Sequence, residues 1–118
     1  MIINLTQHQA TPDQIEAGVV DLPPDQRAAL TELLTFRELT DAKARQARAA
    51  AIADLAAEQG HGKAMLGGAP WLIAPLEAAL ISRGIVPLYS FSVRQSEEVT
   101  LPDGSVQKVS VHRHLDFI

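Results

Sequence analysis

The sequence predicts a small α/β domain of Rossmann-like type, with a mainly parallel sheet and a C-terminal antiparallel hairpin. Three observations carry this. An apolar run with β-branched residues opens the chain at residues 2–5, as a buried strand does. Strand-like runs at residues 64–67 and 86–93 are separated by 18 residues holding one helix, the pattern of a parallel βαβ crossover. Near the end, Pro102-Asp103-Gly104-Ser105 is a tight-turn sequence between extended runs at residues 97–101 and 106–112.

After the first strand, Thr11-Pro12-Asp13-Gln14 is a helix start: a Thr N-cap, Pro at the first helical position, and Gln three residues after the cap. Gly18 keeps that helix short, and Val19-Val20 is extended. Pro23-Pro24 precedes a helix with Leu30, Leu33 and Leu34 at helical spacing. Thr40 is expected to cap a long Ala-rich helix over residues 41–59, which Gly60 ends. Its small face (Ala44, Ala47, Ala51, with Ile52 and Leu55) suits close packing inside the domain or against a second copy, with Arg45 and Arg48 turned to solvent. The next helix is expected to begin near Ala74, because Pro75 is tolerated only in a first turn, and to end at Gly84.

Composition narrows the function. The 118 residues are 47% apolar and 20% charged, values of an ordinary globular chain forming one domain over residues 1–118. At 12.7 kDa, the folded surface should be about 6,000 Å². No apolar run is long enough for a membrane span, and no signal peptide is expected at the N-terminus, so the chain is expected to be cytoplasmic. The absence of cysteine excludes disulfides, thiolate nucleophiles and thiolate metal sites. Net charge is −4, which disfavours a long nucleic-acid groove but not a compact anion held at a few points.

In an open parallel sheet, ligands sit outside the carboxyl ends of the strands. Three segments are expected there: Thr6-Gln7-His8, Gly67-Gly68-Ala69 and Ser92-Val93-Arg94. Gly67 and Gly68 either offer backbone N–H groups to an anion before a helix or merely make a tight turn. Arg94 either clamps a phosphate or pairs with Glu97 or Glu98. His8 is a candidate acid or base, or a plain surface histidine. His112 and His114 alternate onto one strand face, but a third metal ligand is not evident, so no metal is expected. No Gly-x-Gly-x-x-Gly, Walker or Gly-x-Ser-x-Gly pattern occurs, and no cofactor is expected.

Two segments taken together resemble a family. Ile3-Asn4-Leu5-Thr6-Gln7-His8 with Ala10-Thr11-Pro12-Asp13-Gln14 is similar to the opening of small single-domain CRISPR-associated Rossmann-like proteins. Met65-Leu66-Gly67-Gly68-Ala69-Pro70 through Pro75-Leu76, then Ile85-Val86-Pro87-Leu88-Tyr89 to Arg94, resembles their central strand–helix–strand–Arg unit. The resemblance covers about half of the chain; the acidic first half and the ending His112-Arg113-His114 depart from it. It implies a homodimer that binds, and cleaves without metal, a cyclic oligoadenylate second messenger in antiviral defence. The site residues it implies are His8 and Arg94 for catalysis, with Thr6, Gln7, Gly67, Gly68, Ala69 and Ser92 holding the ligand. Two other classes compete: a second-messenger sponge that binds without cutting, and a protein-interaction module of a mobile genetic element that docks through the hairpin edge.

Overall fold

Four short strands and four helices build the body, and a long hairpin stands apart from it. The computed structural model describes residues 1–118. The order is β1 (Ile2–Asn4), α1 (Pro12–Glu16), β2 (Val19–Asp21), α2 (Pro24–Leu34), α3 (Ala42–Glu58), β3 (Lys63–Met65), α4 (Pro70–Ser82), β4 (Val86–Leu88), β5 (Ser90–Thr100) and β6 (Val106–Phe117). Strands β1 to β4 form one parallel sheet in the order β2-β1-β3-β4, while β5 and β6 form a separate antiparallel sheet. The expected α/β class is therefore observed.

Side-chain alternation sorts the parallel sheet into two faces. Ile3, Leu5, Leu22, Ala64, Leu66 and Ile85 lie in the main core with Leu30 and Leu34 of α2, Ile52, Ala53 and Ala56 of α3, and Leu72, Leu76 and Leu80 of α4. Ile2, Val19 and Met65 form a smaller cluster with Ala10, Leu88 and Phe117. Pro87 is tolerated because β4 is an edge strand, where its missing N–H breaks no ladder.

Several expected boundaries move. The third strand was expected to run through residues 86–93, but the chain leaves the parallel sheet at Tyr89. There it exchanges backbone hydrogen bonds with Ile118 in both directions, at 2.9 and 2.8 Å, and enters the hairpin. The hairpin thus spans Ser90–Thr100 and Val106–Phe117, longer than residues 97–101 and 106–112 suggested. The polar run Arg94-Gln95-Ser96, and Arg113-His114 on β6, concealed its continuity from a hydrophobic-period reading.

Helix α4 begins at Pro70 rather than near Ala74, with Pro75 inside it. The hydrogen bond that Pro75 forgoes is to Trp71, a residue exposed to solvent where water can serve its carbonyl. Asp41, not Thr40, caps α3, its carboxylate accepting from the Ala44 N–H at 2.8 Å. Arg48 does not turn to solvent. Its guanidinium donates to the carbonyls of Leu33 (3.1 Å) and Thr35 (2.7 Å) and sits 4.3 Å from the Phe36 ring centroid. It thereby satisfies carbonyls left open at the end of α2.

The hairpin gives the molecule its length. The radius of gyration is 16.7 Å, against about 13.5 Å for a compact chain of this size. The exposed surface is 7341 Å², against the roughly 6,000 Å² expected from mass.

Candidate functional site

The strand order reverses between β1 and β3, since β2 lies on one side of β1 and the chain returns to the other for β3. A cleft of about 400 Å³ opens there, at the carboxyl ends of the strands. Its walls are the segment after β1 (Thr6, Gln7, His8, Gln9), the cap of α1 (Thr11, Gln14), the turn after β3 (Gly67, Gly68), and Tyr89 with Ser90 where the hairpin begins.

The β1 exit is shaped by one buried side chain. Asn4 is 3% exposed and is the register partner of Asp21 on β2. Its amide nitrogen donates to Asp21 Oδ1 and to the His8 carbonyl, both at 2.7 Å, while its Oδ1 accepts from the Thr6 N–H at 2.9 Å. Asp21 also accepts from the Ala10 N–H at 3.1 Å. The segment 6–10 is thus wound around Asn4, with the His8 backbone turned in and its ring exposed.

The same network specialises Thr6. Its hydroxyl lies 2.7 Å from Asn4 Oδ1 and 3.1 Å from the His8 carbonyl, both acceptors. Its one proton is therefore spent inward. Toward the cleft Thr6 can only accept, which suits a ribose hydroxyl and not a phosphate oxygen.

The two glycines each have a packing reason. A Cβ on Gly67 would lie 3.1 Å from Thr6 Cγ2, so glycine lets the β1 and β3 exits approach without Thr6 having to shift. Gly68 has φ +122°, which L side chains rarely adopt. Together they leave a floor of bare backbone ahead of α4. Ala69 is the N-cap of α4 and lies outside the cleft lining.

The opposite wall comes from α1 and the hairpin. Thr11 and Gln14 form the expected capping box, with the Thr11 N–H donating to Gln14 Oε1 at 3.0 Å. That bond fixes which way the Gln14 amide points, so Nε2 donates to Ser90 Oγ at 3.4 Å. Ser90 Oγ lies 2.5 Å from His114 Nδ1 and 3.1 Å from Ser92 Oγ. Tyr89 donates to Glu77 of α4. Burial first, and then that carboxylate, hold the Tyr89 hydroxyl well above the usual tyrosine range.

Of the sequence-expected residues, the cleft brings together Thr6, Gln7, His8, Gly67 and Gly68. Ser92 and Arg94 do not end a parallel strand; they lie farther out on β5, opposite His114 and His112. The expected pairing of Arg94 with Glu97 or Glu98 is not formed, and Arg113 binds Glu97 instead. His112 and His114 do share one face, with no third histidine or carboxylate close enough to complete a metal site. Sequence reasoning missed Asn4, Asp21, Tyr89 and Ser90. A polar residue inside an apolar strand was the one available signal, at Asn4.

Fold and cleft define an α/β domain with a ligand-sized opening at the switch point of a parallel sheet. The chain belongs to the uncharacterized protein MJ1673 family, whose model matches residues 1–118. No curated protein and no solved structure matches it. No helix is long and apolar enough to cross a membrane.

Proposed function

We propose that the chain binds a cyclic oligoadenylate at the carboxyl end of its parallel sheet and opens the ring without a metal ion. The observation that carries this is the character of the cleft. In a protein of net charge −4, none of its 12 lining residues is Asp or Glu. They offer backbone amides at Gly67 and Gly68, the amides of Gln7 and Gln9, hydroxyls, and the exposed ring of His8. A compact anion with ribose hydroxyls fits this set better than a polymer does. The resemblance of residues 3–14 and 65–94 to CRISPR-associated second-messenger proteins supports the same ligand.

Ring opening needs little from the protein. The ribose 2′-oxygen is the nucleophile on the adjacent phosphate, so orientation and charge stabilisation suffice. A cleft of about 400 Å³ is at the small end of ligand sites and takes roughly one nucleotide. A ring of several therefore calls for two copies, each supplying half of the pocket. Arg94 and Ser92 lie on the hairpin face that continues outward from Ser90, which supports a role for them in contacting the part of the ring beyond the cleft.

The test is a thermal-shift and cleavage screen of cyclic tri-, tetra- and hexa-adenylate, with light scattering alongside. One ring should raise the melting temperature and be cut, and light scattering should report a species of twice the chain's 12.7 kDa. No stabilisation by any ring overturns the function, and a purely monomeric species overturns the dimer. Binding without product leaves the sponge reading in place.

A protein-interaction role is favoured by a different observation. Val93, Val99, Val109 and Val111 share one face of the projecting hairpin, opposite the serines and His112. Binding of a protein partner and of no nucleotide would select it.

A further inference from the structure

We infer that Ser90 and His114 form the proton-accepting pair of the cleft, with His114 the general base acting through the Ser90 hydroxyl. This rests on the cleft being a site of ring opening. Ser90 lines the cleft and His114 stands behind it at 2.5 Å.

The neighbours of Ser90 allow its proton to point at His114. Gln14 Nε2 can only donate, and its orientation is set by the capping box, so Ser90 Oγ accepts there. The pair requires Ser90 to donate to His114 Nδ1 at 2.5 Å, with the His114 hydrogen on Nε2, while the Ser92 hydroxyl at 3.1 Å donates to Ser90 Oγ. The ring itself packs at a tilt of 53° against Phe117, centroid to centroid 4.5 Å.

A β-bulge aims the histidine. Phe91 pairs with Asp116 but Ser92 pairs with His114, so Leu115 is the extra residue. Without it Leu115 would face Ser92, and His114 would pair with Val93 on the apolar face. Bulges beside functional sites re-aim side chains in this way.

The step balances without any further reagent. The 2′-hydroxyl passes its proton to Ser90 Oγ while Ser90 passes its own to His114 Nδ1. The O2′–P bond forms and the P–O5′ bond breaks. The leaving 5′-oxygen takes a proton from His8 on the facing wall. The product is a linear isomer of the ring with a 2′,3′-cyclic phosphate and a 5′-hydroxyl. The charged and titratable groups around His114 are Arg94 and His112, the next pair outward on the same face, and Asp116 on its own strand. On α1, Asp13 is directed to Arg113 on the opposite face.

The experiment compares wild type with Ser90→Ala, Ser90→Thr and His114→Gln, measuring binding and cleavage of cyclic tri-, tetra- and hexa-adenylate separately across pH. Ser90→Ala and His114→Gln should keep binding and lose about a hundredfold or more in cleavage rate. Their rates should no longer fall toward acid pH, the fall that protonating the base imposes. Ser90→Thr, which keeps the hydroxyl, should restore both rate and acid limb. Wild-type rate and pH profile in both disabling variants overturn the pair alone. A wild type that binds a ring without cutting it also overturns the pair but leaves binding intact. A wild type that binds none overturns the function itself. If a variant no longer binds, ¹⁵N NMR of the His114 ring in the wild type decides. Protonation of Nδ1 in step with the acid limb supports the pair, and an Nδ1 unprotonated throughout it overturns it.

Discussion

Gln14 of the short first helix donates to Ser90 at the root of the hairpin, 76 residues away, from Nε2 to Oγ at 3.4 Å. Its other amide atom closes the capping box on Thr11. One side chain therefore caps the start of a helix, joins two parts of the fold and contacts a serine in the cleft. Gln14→Glu keeps the acceptor for the Thr11 N–H but turns a donor into a second acceptor for the Ser90 proton. Denaturation midpoints should change little, while ring cleavage falls because the proton is drawn from His114. Equal cleavage by Gln14→Glu and wild type would refute this.

Asn4 holds the β1 exit through three hydrogen bonds and a contact with the Thr6 hydroxyl. Asn4→Ala should cost about 1–3 kcal/mol, since it leaves the Thr6 N–H without its acceptor, whereas Asp21 Oδ1 keeps the Ala10 N–H. Asn4→Asp sets a second carboxylate against Asp21, so its urea midpoint should be lower at pH 8 than at pH 5, where protonation relieves the repulsion. A midpoint for Asn4→Asp that does not depend on pH would show that the two groups do not face each other.

The glycines separate strain from space. Gly68→Ala forces an L side chain to φ +122° and should cost on the order of 1–3 kcal/mol in chemical denaturation. Gly67→Ala meets Thr6 Cγ2 at 3.1 Å, a contact a small shift of Thr6 relieves. Its stability loss should be smaller than that of Gly68→Ala, while ligand affinity falls more. The reverse order would mean that the floor of the cleft is not at Gly67.

Tyr89 supplies a pH dependence. Burial and then Glu77 raise its hydroxyl above the unfolded value, so the neutral form is favoured by folding. The stability it contributes is complete below about pH 10, the unfolded value, and is lost as pH rises beyond it. Urea midpoints of wild type should therefore fall more steeply above pH 10 than those of Tyr89→Phe. Parallel curves would show that the Tyr89–Glu77 bond contributes nothing to this.

Much of the fold was legible because it depends on local chemistry. Thr11-Pro12-Asp13-Gln14 specifies its capping box wherever it stands, and Gly60 and Gly84 adopt the positive φ expected of helix ends. The first strand and the turn at Asp103-Gly104 follow likewise from apolar patterning and backbone preference. The glycine turn and the segment Thr6-Gln7-His8 were legible as neighbours, and they line one cleft because strand order brings the ends of β1 and β3 together.

What no local pattern carried was the exchange of partners at Tyr89. Residues 86–93 have the same extended preference whether paired with β3 or with the C-terminus, and only the hydrogen bonds to Ile118 decide between them. That choice moves Ser92 and Arg94 out along the hairpin and brings Ser90 into the cleft. Likewise Arg48, polar in sequence, turns inward because α2 ends with open carbonyls beside it. The sequence by itself determined the α/β class, the caps and the glycine floor, since each rests on residues close in the chain. The tertiary structure alone decided that His114 faces Ser90, because that depends on a one-residue bulge between strands whose partners lie 24 positions apart.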